Sequence, residues 1–313
     1  MDSPRVLAIG GVTASGKTLL GLALARALFG EIVSADSAQV YRGMDIGTDK
    51  PDAASRGLVP HHLLDIRSPD EPFSVAEYQR LADAAIATIA RGRHTPIFVG
   101  GTGLYLRQVL RGAPLPPAPP QPELRARLER EPPAALYAQL LRSDPAAAAR
   151  IHPHNVRRVI RALEILAVTG QPPSRFGAAP QPRYPHLLVV LDRPADVLRA
   201  RIAARVERML ERGLVDEVRR LLSRGVDPAA PGLAALGYRQ TVAYLGGGGT
   251  QAELAAAITA ATWAYARRQR TWFRREPKAV WIDLEDGPTE AALPRVLALW
   301  CGTSRGDPPP DPA

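Results

Sequence analysis

The chain is expected to be an α/β protein: a P-loop parallel sheet with helices on both faces and an inserted helical domain. Three observations lead there. Short apolar runs that stop at glycine or aspartate alternate with helical patterns. The first of these runs leads directly into Gly11-Val12-Thr13-Ala14-Ser15-Gly16-Lys17-Thr18, which matches G-x-x-x-x-G-K-[ST]. A proline-bounded stretch in mid-chain breaks the alternation and reads as helices only.

Taken in order, Val6 to Ile9 is a buried parallel strand, because it is continuously apolar and ends at Gly10-Gly11. Thr18 to Phe29 reads as a helix stopped by Gly30. Glu31 to Ser34 is a second strand, ending by Asp36. Val75 to Ala90 is a helix with Ser74 as N-cap. Pro96 to Val99 is a buried strand closed by Gly100-Gly101-Thr102-Gly103. Prolines cluster from Pro114 to Pro122, and helical patterns follow at Glu123–Arg130, Ala134–Arg142 and Val156–Val168. The stretch closes with Gln171-Pro172-Pro173 and Pro180-Gln181-Pro182. Leu187–Leu191 and Ala279–Ile282 resume the sheet, and Leu198–Ser223 and Glu253–Arg275 read as long helices. The chain therefore divides into four parts. Residues 1–113 are the first part of the P-loop core, and 114–183 are the helical insertion. Residues 184–301 are the second part of the core with a basic C-terminal helix, and 302–313 are a polar, Pro-rich tail expected to be disordered.

Composition narrows the function classes. Lys+Arg number 40 against Asp+Glu 31, a net charge of +9, which suits an anionic partner or a codon bias equally. The one cysteine, Cys301, excludes disulfides and cysteine-based zinc sites within the chain. No apolar run approaches the roughly 18 residues of a membrane span, and Val6–Ile9 is too short for a signal peptide. A cytoplasmic protein with no membrane partner is expected.

The P-loop carries the clearest chemistry. Its backbone N–H groups and the following helix N-terminus meet phosphate oxygens, Lys17 adds a point charge, and the Thr18 hydroxyl can hold Mg²⁺. Asp36, at the end of the second strand, is a general base, a Mg²⁺-orienting group or a turn residue. An obvious Walker B aspartate is missing: Leu187–Leu191 ends at Asp192, but only after the insertion. Routine ATP hydrolysis is accordingly not the first reading of this nucleotide-binding signature. Gly100-Gly101-Thr102-Gly103 allows a ligand close to the backbone, or is a Thr-capped turn.

Arg267-Arg268-Gln269-Arg270-Thr271-Trp272-Phe273-Arg274 interleaves cations with aromatics, as a phosphate backbone and stacked bases require, unless the aromatics are core. Arg157, Arg158 and Arg161 in the insertion add charge at helical spacing. His61-His62 and the His152/His154 pair lack completing ligands, so no metal beyond Mg²⁺ is assigned.

Taken together these segments resemble the bacterial tRNA dimethylallyltransferases (tRNA isopentenyltransferases). The matching stretches are Gly11–Thr18, Asp36–Thr48, His61–Asp65, Val99–Tyr105, Arg157–Glu164, Arg201–Arg205, Gly237–Arg239 and Arg267–Arg274. The resemblance implies a P-loop that holds the diphosphate of dimethylallyl diphosphate. The allyl group passes to N6 of the adenosine 3′ to the anticodon, tRNA position 37, and diphosphate leaves. It implies that Lys17, Mg²⁺ at Thr18 and Arg205 stabilise the leaving group, that Asp36 accepts the N6 proton, and that Thr102 places the base or that carboxylate. It also implies contact with the tRNA anticodon stem-loop from four stretches. These are Asp36-Ser37-Ala38-Gln39, Thr102, Arg157-Arg158-Val159-Ile160-Arg161 and Arg267 to Arg274. A monomer is expected. Val12, His154-Asn155 and Trp263 depart from the family pattern, Trp263 standing where arginine is frequent, and the chain lacks the zinc finger of eukaryotic members. The alternatives are a small-molecule P-loop kinase and a non-catalytic RNA-binding regulator.

Overall fold

The computed structural model describes residues 3–112, 115–176 and 181–302. In chain order the elements begin with β1 (Val6–Gly11), α1 (Lys17–Ala27), β2 (Gly30–Ser34), α2 (Ala53–Leu58), β3 (His61–His62), α3 (Val75–Arg91), β4 (Thr95–Val99) and α4 (Gly103–Arg111). Next come α5 (Pro122–Leu128), α6 (Pro133–Ser143), α7 (Pro145–Ala148), α8 (Val156–Thr169) and β5 (His186–Asp192). The chain continues with α9 (Ala195–Glu211), α10 (Leu214–Ser223), α11 (Tyr238–Leu245), α12 (Gln251–Phe273), β6 (Val280–Asp283) and α13 (Leu293–Gly302).

The strands form one parallel sheet of order β3-β2-β4-β1-β5-β6. Its central strands are apolar throughout because both faces are covered. Val6 and Ala8 of β1 face the layer of α3, α4 and Phe273, whereas Leu7 and Ile9 face α1 and α13. That is the two-residue alternation of a strand expressed between two cores. Ser74 caps α3 as the sequence predicts, in a reciprocal capping box with Glu77.

Two compact units result. The first joins residues 1–110 to 183–313, and the second is Arg111–Pro182. The second unit has its own core, in which Leu128, Leu136, Leu140, Ile160 and Leu163 pack together. Buried Glu164 is its polar centre. It takes Arg125 at 2.8 Å, Arg161 at 2.5 Å and the Gln121 N–H at 2.7 Å. These donors outweigh burial and hold the carboxyl at about 2.

One reading is corrected. Leu198–Ser223 is not a single helix: α9 ends at Glu211 and α10 starts at Leu214. Gly213 lies between them at φ 90°, a left-handed conformation that glycine adopts without strain. The edge strand β3 and helices α2, α11 and α13 were not marked by the sequence reading. The expected disorder of 302–313 falls, beyond Gly302, outside the described residues, as does Pro180.

Candidate active site

β1 delivers the chain into the loop at the carboxyl edge of the sheet, where ligands of doubly wound sheets bind. The turn is possible because Gly11 adopts φ 131°, and a Cβ there would lie 2.2 Å from the Leu191 carbonyl oxygen. Gly16, at φ 104°, opens α1. The loop's outward carbonyls are tied down from behind. Arg193, 1% exposed, donates from Nε to the Ser15 carbonyl at 3.1 Å and from Nη1 to the Gly287 carbonyl at 2.9 Å. Arg201 of α9 donates to the Ala14 carbonyl at 2.9 Å, and Gln269 of α12 accepts from the Thr13 N–H at 2.8 Å. These bonds fix the loop's backbone, the condition a P-loop must meet if its N–H groups are to receive an anion.

Lys17 folds back on this loop, its Nζ donating to the Val12 carbonyl at 2.6 Å. Burial, and then the nearby Arg205 charge, lower its pKa to about 8, partly offset by Asp36 and Asp49. Arg205 of α9 donates to the Thr13 hydroxyl at 3.1 Å and lies 3.6 Å from Asp49. The Thr18 side chain is exposed beside them.

A cavity opens from Lys17 and Thr18 towards Asp36, Gln39, Gly101 and Tyr265. A second hollow, lined by Arg201 and Arg208, lies against the other side of the loop. The two share Lys17, Thr18, Asp49 and Arg205. Asp36 caps its own turn, accepting from the Ala38 N–H at 2.9 Å. Thr102 accepts from the Ser37 N–H at 3.0 Å. Gln39 holds the far wall by donating to the Thr48 carbonyl at 3.2 Å. Tyr265 lines the same cavity, and burial pushes its phenol up to about 12. Residues of the P-loop, a partly exposed carboxylate and a phenol thus line one cavity. Such an arrangement can hold an anionic leaving group at one end and accept a proton at the other.

A profile of the family described as IPP transferase matches residues 39–276. The chain belongs to the IPP transferase family. Similar curated proteins are the "tRNA dimethylallyltransferase" of Roseiflexus castenholzii, 53% identical over 88% of this chain and 91% of that one, and that of Roseiflexus sp. (strain RS-1), 49% identical over 94% and 98%. Among solved structures, the full-length tRNA isopentenylpyrophosphate transferase from Bacillus halodurans superposes with TM-score 0.73 at 40% identity, covering 95% of this chain and 96% of that one. A eukaryotic dimethylallyltransferase, described as acting on tRNA, superposes with TM-score 0.84 at 26% identity, covering 99% of this chain and 81% of that one.

In this IPP transferase the expected site residues separate into two groups. Thr13, Lys17, Thr18, Asp36, Gln39, Arg205 and Gln269 line one cavity, with Thr102 hydrogen-bonded beside it. Val12 and Ser15 of the loop are buried, and Val12 packs on Leu198, Ile202 and Ala266.

The two basic stretches are not uniform RNA faces. In α8, Arg157 and Arg158 are exposed, whereas Val159 and Ile160 are core and Arg161 is bound to Glu164. In α12, Arg267, Arg268 and Thr271 are exposed, as is Arg274 just beyond it, while Phe273 is buried against Gly10. Arg270 turns inward to the strand-end carboxylate of Asp192 at 2.7 Å. Trp272 packs over Gly103 and under the Arg107 guanidinium, 4.3 Å from the ring centre. Trp263 is covered in the same way by Arg199, at 4.7 Å.

Local reading passed over Arg193, Asp49 and Tyr265. Asp49 stands one residue beyond the Asp36–Thr48 stretch and Arg193 follows a recognisable strand, but neither carries a local signal for its role. His62 is engaged structurally, 2.6 Å from Glu31. Among the described residues no group of three or more His, Cys, Asp or Glu side chains is gathered to hold a metal ion. Among the described residues no helix is long and apolar enough to cross a membrane.

Proposed function

We propose that this protein transfers the dimethylallyl group of dimethylallyl diphosphate to N6 of the adenosine 3′ to the anticodon of tRNA, releasing diphosphate. The observation that carries the reading is the meeting of Lys17 and Asp36 in one cavity, in a chain of the IPP transferase family.

The diphosphate lies on the loop N–H groups and the Lys17 ammonium, with Arg205 against it from α9. As the C–O bond lengthens, negative charge grows on the diphosphate, where these donors are already oriented. The adenine leaves the anticodon-loop stack and enters from the Asp36 side. Asp36 accepts the N6 proton, and Thr102 and Tyr265 border the base. Mg²⁺ fits the donor set. Thr18 presents an exposed hydroxyl at the α1 N-terminus, and a diphosphate-bound Mg²⁺ needs only one or two protein ligands because it keeps several waters. Bound there, it would neutralise diphosphate charge. Arg157, Arg158, Arg267, Arg268 and Arg274, all exposed, supply phosphate contacts to the anticodon stem-loop.

The test is incubation with Mg²⁺, radiolabelled dimethylallyl diphosphate and unmodified tRNA. Label is expected in the tRNA and is lost when that single adenosine is replaced. ATP turnover on a small acceptor, with no label in RNA, would return the protein to the kinase reading.

A further inference from the structure

Gln269 is 5% exposed and has both ends of its amide engaged. Oε1 accepts from the Thr13 N–H at 2.8 Å, and Nε2 donates to the Gly101 carbonyl at 2.9 Å. Both partners are backbone groups of fixed polarity, so the amide has one orientation. Thr13 belongs to the phosphate loop. Gly101 precedes Thr102, whose hydroxyl accepts from the Ser37 N–H at 3.0 Å, next to Asp36. One side chain therefore spans the loop that holds the leaving group and the loop that faces the acceptor. The fit at Gly101 is close: a Cβ there would lie 2.1 Å from Gln269 Nε2. Tyr265, four residues earlier on the same face of α12, lines the same cavity as Gln269.

We infer that Gln269 is a positioning residue for the transfer, an inference that rests on the function proposed above. Its amide sets the separation between the diphosphate loop and the base-facing loop. In the step it serves, adenine N6 forms a bond to the allylic carbon and the carbon–oxygen bond to diphosphate breaks. The electron pair of that bond leaves on diphosphate, and the N6 proton passes to Asp36. Gln269 touches none of these atoms. With both amide ends occupied and buried, it has no free group for RNA, in contrast to its exposed neighbours Arg267 and Arg268. Misplacing reacting atoms by about 1 Å costs on the order of 10²-fold in rate, so a tether between the two loops has a large kinetic lever.

The experiment is single-turnover transfer with Q269M, which keeps the side-chain length and removes both hydrogen bonds, and with Q269E, which retains only the acceptor facing Thr13. The expected result is a rate constant lowered about 10²-fold, with reaction amplitude and both KM values within about threefold of native. A merely structural role lowers the amplitude or the Tm and leaves the rate constant of the folded molecules alone. A direct RNA contact raises the KM for tRNA at an unchanged rate constant. Either of those results, in whichever variant is soluble, overturns the inference. The native protein is assayed alongside. Its failure to transfer label removes the proposed function, whereas native transfer with unimpaired variants removes only the tether.

Discussion

The Tyr238 hydroxyl donates to the Glu217 carboxylate at 2.6 Å, and both side chains are buried. Glu217 also accepts from the backbone N–H of Asp45 at 3.1 Å and of Ile46 at 2.9 Å, and the Gly47 N–H donates to the Tyr238 oxygen at 3.1 Å. A buried carboxylate survives here because a loop supplies the donors that water would. The pair fixes residues 45–47, and so fixes Thr48 and Asp49 in the cavity wall. Glu217→Ala leaves those donors unpartnered and should cost about 3 kcal/mol, while Tyr238→Phe should cost about 1 kcal/mol. Urea unfolding measures both, and an E217A loss below that of Y238F would mean the loop is held by other contacts.

Asp36→Ala should lower single-turnover transfer by about 10²–10⁴-fold, the usual contribution of a general base. Stem-loop affinity, measured by filter binding, should stay within about threefold of native. Loss of binding together with activity would make Asp36 an RNA contact or a turn residue, which its bond to the Ala38 N–H also allows.

Diphosphate affinity should fall as pH rises through about 8, where Lys17 loses its proton. Binding an anion favours the ammonium, so proton uptake accompanies binding near that pH. Calorimetry in buffers of different ionisation enthalpy detects it, and Lys17→Met should abolish it. The folded pKa lies below the ordinary lysine value of 10.5, so between about 8 and 10.5 the unfolded chain holds more protons. This group alone therefore makes stability rise with pH across that window. A diphosphate Kd that stays flat to pH 9.5 would show that Lys17 remains charged.

Arg158→Ala should weaken stem-loop binding and reduce the slope of log K against log salt by about one, without loss of stability. Arg161→Ala should do the reverse, destabilising the second unit because Glu164 loses a donor. The Glu164 contribution has a defined acid window: its carboxyl is held at about 2 against an ordinary 4.5. Stability from it is complete above 4.5 and is lost as pH falls towards 2. Identical salt slopes for R158A and native protein would exclude a phosphate contact at Arg158.

What was legible in the sequence was whatever depends on neighbours in the chain. The central strands announce themselves because both faces are buried, so Leu187 to Leu191 cannot carry a polar residue on either side. The P-loop is legible because its glycines and Lys17 act at fixed spacing. Arg161 and Glu164 stand three apart on one helix, so their pairing was open to the same reasoning that grouped Arg161 with the RNA-facing residues. The break at Gly213 was a glycine inside an otherwise helical pattern, a signal that tolerates either outcome. Gln269, Arg193 and Arg270 were not legible. Their partners lie 256, 178 and 78 residues away, and nothing local distinguishes an arginine aimed at a carbonyl inside the fold from one aimed at a phosphate outside it.

β1 is the first strand made, yet it lies between β4 and β5. The phosphate loop that follows it is held by Arg193, Arg201 and Gln269. A ribosome that has translated the loop has therefore made only its sequence. The set of bonds is complete only when the last part of the polypeptide has emerged, because the Thr13 N–H has its Gln269 partner only once α12 has docked. A product truncated ahead of Gln269 would carry an intact P-loop signature and lack the side chain that ties that loop to the one facing the acceptor.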